Sequence, residues 1–219
     1  MSRSEAEVGS VWRRWDLHLH APGTKLANCF GQPEDSILKA YVEKLEASDV
    51  QAFGITDYFS FDGYLSVVKA YRKAYPDGEK LFIPNIEFRL LETVSSDGKN
   101  VHTHVLIDPL VATEQKLATF LSDLLTHITR SGARLRCSEL SSAAEFMQAT
   151  VGLNDVIAAL DKVFPDKTCY MIVTAASNDG LRGVDGRSPR SMSISDELDK
   201  ASCAFFGAAR SSEYFLGAD

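Results

Sequence analysis

Three observations predict an α/β chain whose strands are largely parallel and curl towards a barrel. First, apolar runs with strand character alternate with segments whose apolar residues fall at helical spacing, the pattern of βα units. Second, polar residues recur where those strands end: His18 and His20, then Asp57, Glu87, and Ser177 with Asn178. A βα barrel gathers its reactive groups at the C-terminal ends of its strands. Third, the first turn reads His20-Ala21-Pro22-Gly23 and lacks the glycine-rich phosphate loop usual in an open doubly wound sheet.

The elements follow in order. Val11 to His20 reads as the first strand. Pro33-Glu34-Asp35 opens a helix to about Ala47, with Pro in the first turn, acids at the positive end of the dipole, and Ile37, Leu38, Tyr41, Val42 and Leu45 on one face. Val50 to Asp57 is a second strand, and Asp62-Gly63 leads into a helix over Tyr64 to Tyr75, closed by Pro76-Asp77-Gly78. Leu81 to Leu91 supplies a third strand bearing Glu87. Ser95 to Asn100 forms a hairpin turn into the strand of His102 and His104. Thr113 caps a helix running to about Arg130, and Ser141 to Phe164 is helical with a break near Gly152. Thr168 to Ala175 is the next strand. Gly180 to Pro189, rich in Gly and Arg, reads as a mobile or substrate-facing loop. Short helices over Ser195 to Lys200 and Ser212 to Leu216 flank a strand at Ala204-Phe205-Phe206.

Composition narrows the function classes. The 219 residues fit one large α/β domain or two small ones with ample core, and the net charge of -7 argues against coating nucleic acid with bulk positive charge. Arg130, Arg134 and Arg136 cluster, but read as a solvated helix end. The four cysteines show neither a C-x-x-C pair nor a disulfide framework. No apolar run approaches the roughly 20 residues that span a bilayer, and the N-terminus lacks a signal-peptide core. A cytoplasmic protein with no membrane association is expected.

Four of the five histidines stand in two His-x-His pairs, His18/His20 and His102/His104, each inside a strand-like run. Residues i and i+2 of a strand point to one face, so each pair presents two imidazoles together. Imidazole is the commonest protein ligand for Zn²⁺ and also suits Fe, Mn, Cu and Ni. Glu87 adds a carboxylate able to bridge ions, and Asp16 or Asp57 is a candidate to orient an imidazole from behind. His127, inside the predicted third helix, is read as structural. The metal ligands expected are therefore His18, His20, Glu87, His102 and His104.

These residues resemble a known family. Asp16-Leu17-His18-Leu19-His20, Gly54-Ile55-Thr56-Asp57, Pro84-Asn85-Ile86-Glu87 and His104-Val105-Leu106-Ile107 occur in the order of the motifs of the PHP (polymerase and histidinol phosphatase) domain. The run Arg14 to Thr24 looks closest to the PHP-like domain that begins TrlF-type AAA/SMC-like ATPases. The resemblance implies a distorted (βα)₇ barrel that binds Zn, Mn or Fe and hydrolyses phosphoesters. It implies that His18 and His20 hold a first metal, that Glu87 bridges to a second, and that His104 binds the second. His102 joins by strand parity alone.

Departures from the family pattern shrink the expected centre. Tyr58 stands where a His usually follows Thr-Asp, and residues 21–29 contain no further His. Ala175 to Asn178 occupy the place of a later ligand, and the closing Asp-x-His motif is missing. One or two metals are expected rather than three, in a barrel incomplete at its C-terminus. Residues 1–219 are then a single domain, the N-terminal part of a longer ATPase-containing protein. The function expected is metal-dependent phosphoester hydrolysis, with nucleic acid or nucleotide as the substrate class, as in a nuclease arm of a phage-defence system. Lys25, Asp57, Tyr58 and Arg182 (or Arg187) are the candidate catalytic groups. The ATPase region, in the same chain or in a partner, is the expected associate. Alternatively, the chain is a degenerate PHP-like module kept for binding or assembly. A different barrel hydrolase, such as an amidohydrolase, fits less well because its bridging Lys and later His ligands are not found.

Overall fold

The computed structural model describes residues 13–26, 28–93, 100–175 and 204–206. Two βα units and a third strand come first among the described residues: β1 (Arg14–His20), α1 (Asp35–Ala47), β2 (Val50–Tyr58), α2 (Asp62–Ala74) and β3 (Leu81–Thr93). Then come β4 (Asn100–Ile107), α3 (Glu114–Asp123), β5 (Leu125–Arg130), β6 (Ala133–Arg136), α4 (Ala143–Gln148), α5 (Leu153–Val163), β7 (Tyr170–Ala175) and β8 (Ala204–Phe206).

Six strands form one sheet in the order β1-β2-β3-β4-β7-β8. β1, β2 and β3 are parallel, as are β7 and β8, while β4 runs antiparallel to both β3 and β7. The largely parallel sheet expected from sequence is thus a mixed one. The cause is the short connection after β3, which is too brief for a parallel crossover. Among the described residues β1 and β8 are the two edges, and the sheet does not close into a barrel.

The two faces of the sheet differ sharply in character. Phe53 and Ile55 of β2, Phe82, Ile86 and Phe88 of β3, and Val105 and Ile107 of β4 share one face and join the core. Helices cover it: Tyr71 of α2 meets Phe82 at 4.7 Å between ring centroids, and Phe120 of α3 meets Phe88 at 6.0 Å. The opposite face carries Thr56, Tyr58, Asn85, Glu87, Arg89, His102 and His104 at matching register positions. Period-two alternation has sorted apolar residues to the helices and polar ones to the other side.

The predicted third helix stops early. α3 ends at Asp123, and Leu125–Arg130 pairs with Ala133–Arg136 as a hairpin. Its turn, Ser131-Gly132, has positive φ at both residues (53° and 84°), the geometry that two-residue hairpins favour. β-branched Thr126, Ile128 and Thr129 suit a strand better than a fifth helical turn. His127 therefore lies on β5, where its Nδ1 accepts from Thr150 N at 3.1 Å and pairs with Thr150 Oγ1 at 2.6 Å. The three clustered arginines are turned to local use: Arg130 pairs with Glu145, while Arg134 and Arg136 donate to the Thr126 and Ser122 carbonyls. The break expected near Gly152 is found, with Gly152 as the N-cap of α5. No helix among the described residues is long and apolar enough to cross a membrane.

Candidate metal centre

β1 delivers its histidines through an irregularity. Pairing with β2 runs from Asp16↔Phe53 to Leu19↔Ile55, so the register slips around Leu17 and His18. The slip turns the Leu17 carbonyl onto Gly54 of β2, where any Cβ would sit 2.1 Å from Leu17 O. Only glycine leaves room for that approach. Asp16 Oδ1 accepts from His18 N at 3.2 Å inside the slip, and Tyr41 of α1 donates its hydroxyl to His20 O at 3.0 Å. The two imidazoles end on one side, 5.2 Å apart between centroids.

Antiparallel pairing places Glu87 of β3 opposite His104 of β4, and Arg89 opposite His102. Glu87 and His104 form the floor: both are buried, while His18 remains 39% exposed at its side chain. His102 Nδ1 donates to Glu87 Oε1 at 2.7 Å. The other oxygen, Oε2, is buried and accepts no hydrogen bond; it lies 3.6 Å from His18 Nε2 and 4.0 Å from His20 Nε2. Burial alone would raise the Glu87 carboxyl, but the His102 and His18 imidazoles beside it hold it well below the usual carboxylate range. Burial also keeps His20 and His104 neutral, lowering His104 to about 3.

The proton on His104 can be placed. Asn85, 1% exposed, sends Nδ2 to Leu17 O at 2.7 Å and to Thr56 Oγ1 at 2.9 Å. A carbonyl only accepts, so this end of the amide must be the NH₂ and the other end the oxygen. That oxygen, Oδ1, lies 3.2 Å from His104 Nδ1. Nδ1 must then carry the hydrogen, which leaves the lone pair of the neutral ring on Nε2.

The donor chemistry fits a divalent cation. One ligand atom each from His18, Glu87 and His104 lies within 4.8 Å of the others. Two donors on a tetrahedral ion at about 2.1 Å stand roughly 3.4 Å apart, close to the 3.6 Å spacing of Glu87 Oε2 and His18 Nε2. An ionised carboxylate whose Oε2 faces the His18 and His20 imidazoles at 3.6 and 4.0 Å is what such an ion needs.

The other expected residues are placed as follows. Tyr58 enters the group: its ring stacks on His20 at 5.6 Å, meets His102 edge-on at 6.2 Å, and carries the Arg89 guanidinium at 5.2 Å. Lys25 ion-pairs with Asp62 at 2.7 Å and reaches over the Phe146 ring. Asp57 points to the helical face, where Oδ1 accepts from Lys25 N and Tyr58 N, so it pins the loop after β1 and orients no imidazole. Neither does Asp16, which braces backbone; the orienting group is the Asn85 amide. Ser177, Asn178, Arg182 and Arg187 lie outside the described residues, as do the turn at 95–99, the loop at 180–189 and the helices expected at 195–200 and 212–216.

Two residues escaped the sequence reading, Asn85 and Arg89. The signal was present: they flank Glu87 at i−2 and i+2 on one strand, the same parity that united the histidine pairs. Arg89 is held by the Phe146 and Met147 carbonyls, at 2.7 and 3.0 Å.

No protein-family model matches the chain, and no curated protein matches it. Among solved structures it is similar to a candidate metal-dependent phosphoesterase from Bifidobacterium adolescentis. The match has 12% identity and a TM-score of 0.39, and covers 88% of this chain and 76% of that one. An overlap of that size carries no argument, and the site rests on its own geometry.

Proposed function

We propose that the chain is a metal-dependent phosphoester hydrolase. The observation that carries this is the set of His18, Glu87 and His104, with the lone pair of His104 directed by Asn85 and the Glu87 carboxylate held ionised. These three hold the ion, with His20 beside Glu87 as the next donor. Zn, Mn and Fe all suit the donor set. A divalent ion supplies Lewis acidity towards a phosphoryl oxygen and a water acidic enough to ionise near neutral pH.

The surrounding side chains favour a phosphoester over an amide. Arg89 is fixed by two carbonyls and stacked on Tyr58, within one ring of His20 and His102. Its delocalised cation matches the charge of a phosphoryl group, and its place is set before substrate arrives. Tyr58 gives the face on which Arg89 rests and a hydroxyl for substrate. Lys25, tethered by Asp62 and lying over Phe146, whose carbonyl holds Arg89, is a second candidate cation for the substrate. A nucleotide or nucleic-acid substrate, and action beside an ATPase region in phage defence, extend this reading from the family resemblance.

Hydrolysis of a bis-aryl phosphodiester and of short oligonucleotides with added Mn²⁺ tests it. His18→Ala and Glu87→Ala should each reduce turnover by at least a hundredfold, on the order of 3 kcal/mol in barrier. Equal rates in all three proteins would refute the assignment. Bound metal without turnover in the wild type would favour the binding or assembly module.

A further inference from the structure

We propose that Asn85 is the positioning residue of this centre, one buried amide that sets ligands on two separate strands. The inference rests on the metal-centre reading. Its donor end holds Leu17 O, and Leu17 immediately precedes His18 in the register slip of β1. Its acceptor end takes the Nδ1 hydrogen of His104 on β4. The amide can span from β3 to β1 because Gly54 of the intervening β2 has no side chain under Leu17 O. Thr56 Oγ1 accepts the remaining amide hydrogen and itself donates to Gly54 O at 3.2 Å, so the rotation of the amide is fixed.

An amide meets both demands, with two hydrogens to give at one end and an oxygen to accept at the other. A carboxylate at this position accepts from His104 but cannot donate to Leu17 O. An amine or guanidinium donates but cannot accept. A hydroxyl cannot reach both strands. Each end therefore has its own variant: Asn85→Asp removes the tie to His18 and keeps the tie to His104, and Asn85→Leu removes both.

Zn²⁺ titration and the tautomer of His104 test the idea. Long-range ¹H–¹⁵N correlation on the metal-free wild type should show the hydrogen of His104 on Nδ1; a hydrogen on Nε2 overturns the proposal even if no variant folds. Zn²⁺ affinity should fall about tenfold in Asn85→Asp and about a hundredfold in Asn85→Leu, the range for groups that orient ligands from behind. In a His18→Ala background, Asn85→Asp should cost little more, because the tie it breaks serves His18. Wild-type affinity in either folded Asn85 variant would sink the role of Asn85 and leave the metal centre standing. A wild type that binds no Zn²⁺, Mn²⁺ or Fe²⁺ would sink the metal reading, while the tautomer still reports on the amide.

Discussion

Asp57 shows how one carboxyl can stand near a reactive centre and serve the fold. It sits on the helical side of β2, buried, with Oδ1 accepting two backbone N–H groups. Burial raises its pKa from 3.8 to about 6, against the pull of those donors and the Lys25 charge. A carboxyl raised in the folded state stabilises the fold while protonated. That contribution is complete below pH 3.8 and is lost as pH rises through about 6. Asp57→Asn keeps the acceptor oxygen and removes the charge. The variant should match wild type near pH 4 and exceed it by on the order of 2 kcal/mol at pH 8. Thermal melts across that range check it, and a gap that does not change with pH would refute it. Turnover of the same variant separates Asp57 from catalysis, since a catalytic carboxylate would lose activity on conversion to the amide.

At the scale of elements, β1 and β2 meet at a contact that tolerates no side chain. A methyl group at residue 54 would fall 2.1 Å from Leu17 O and 2.6 Å from Leu17 C, both backbone atoms that cannot swing away. Gly54→Ala should therefore cost about 2–3 kcal/mol in urea unfolding and weaken Zn²⁺ binding in parallel. Loss of stability with unchanged Zn²⁺ affinity would show that the register slip does not serve the site. Much of this level was legible in the sequence. The histidine pairs and Glu87 fell on strands, and period-two parity brought them to one side. The hairpin of β5 and β6 was missed because Leu117, Phe120, Leu121 and Leu124 keep helical spacing up to its edge. The Ser131-Gly132 turn was the competing signal. Asn85 and Arg89 were passed over because an Asn or Arg on a strand has no chemistry of its own until its neighbours across the sheet are known.

For the whole molecule, the site is a junction of strands distant in sequence. His18 comes from β1, Glu87 from β3 and His104 from β4, so a bound ion links the N-terminal edge of the sheet to its centre. An ion that binds only the folded chain stabilises it by about 2.7 kcal/mol at a hundred times its dissociation constant. For a chain of this size that is about 5–10 °C in melting temperature. Chelator should lower the wild-type melting temperature by that amount and leave Glu87→Ala unmoved; equal melts with and without chelator would argue against a resident ion. Sheet order was beyond the reach of the sequence, because strand pairing is decided by contacts far apart along the chain. Local pattern identifies a strand without saying whether the sheet closes.

The position of β1 has a kinetic meaning. It is an edge strand among the described residues, its backbone ladder formed with β2 and its Leu17 carbonyl tied to Asn85 of β3, and it carries two of the four imidazoles gathered here. Edge strands open more readily than central ones. The Glu87 and His104 half of the centre lies in the middle of the sheet, while the His18 and His20 half rides on an edge strand. Exchange of an ion bound here would then follow the opening of that border, which would withdraw two ligands together and return them in register over Gly54.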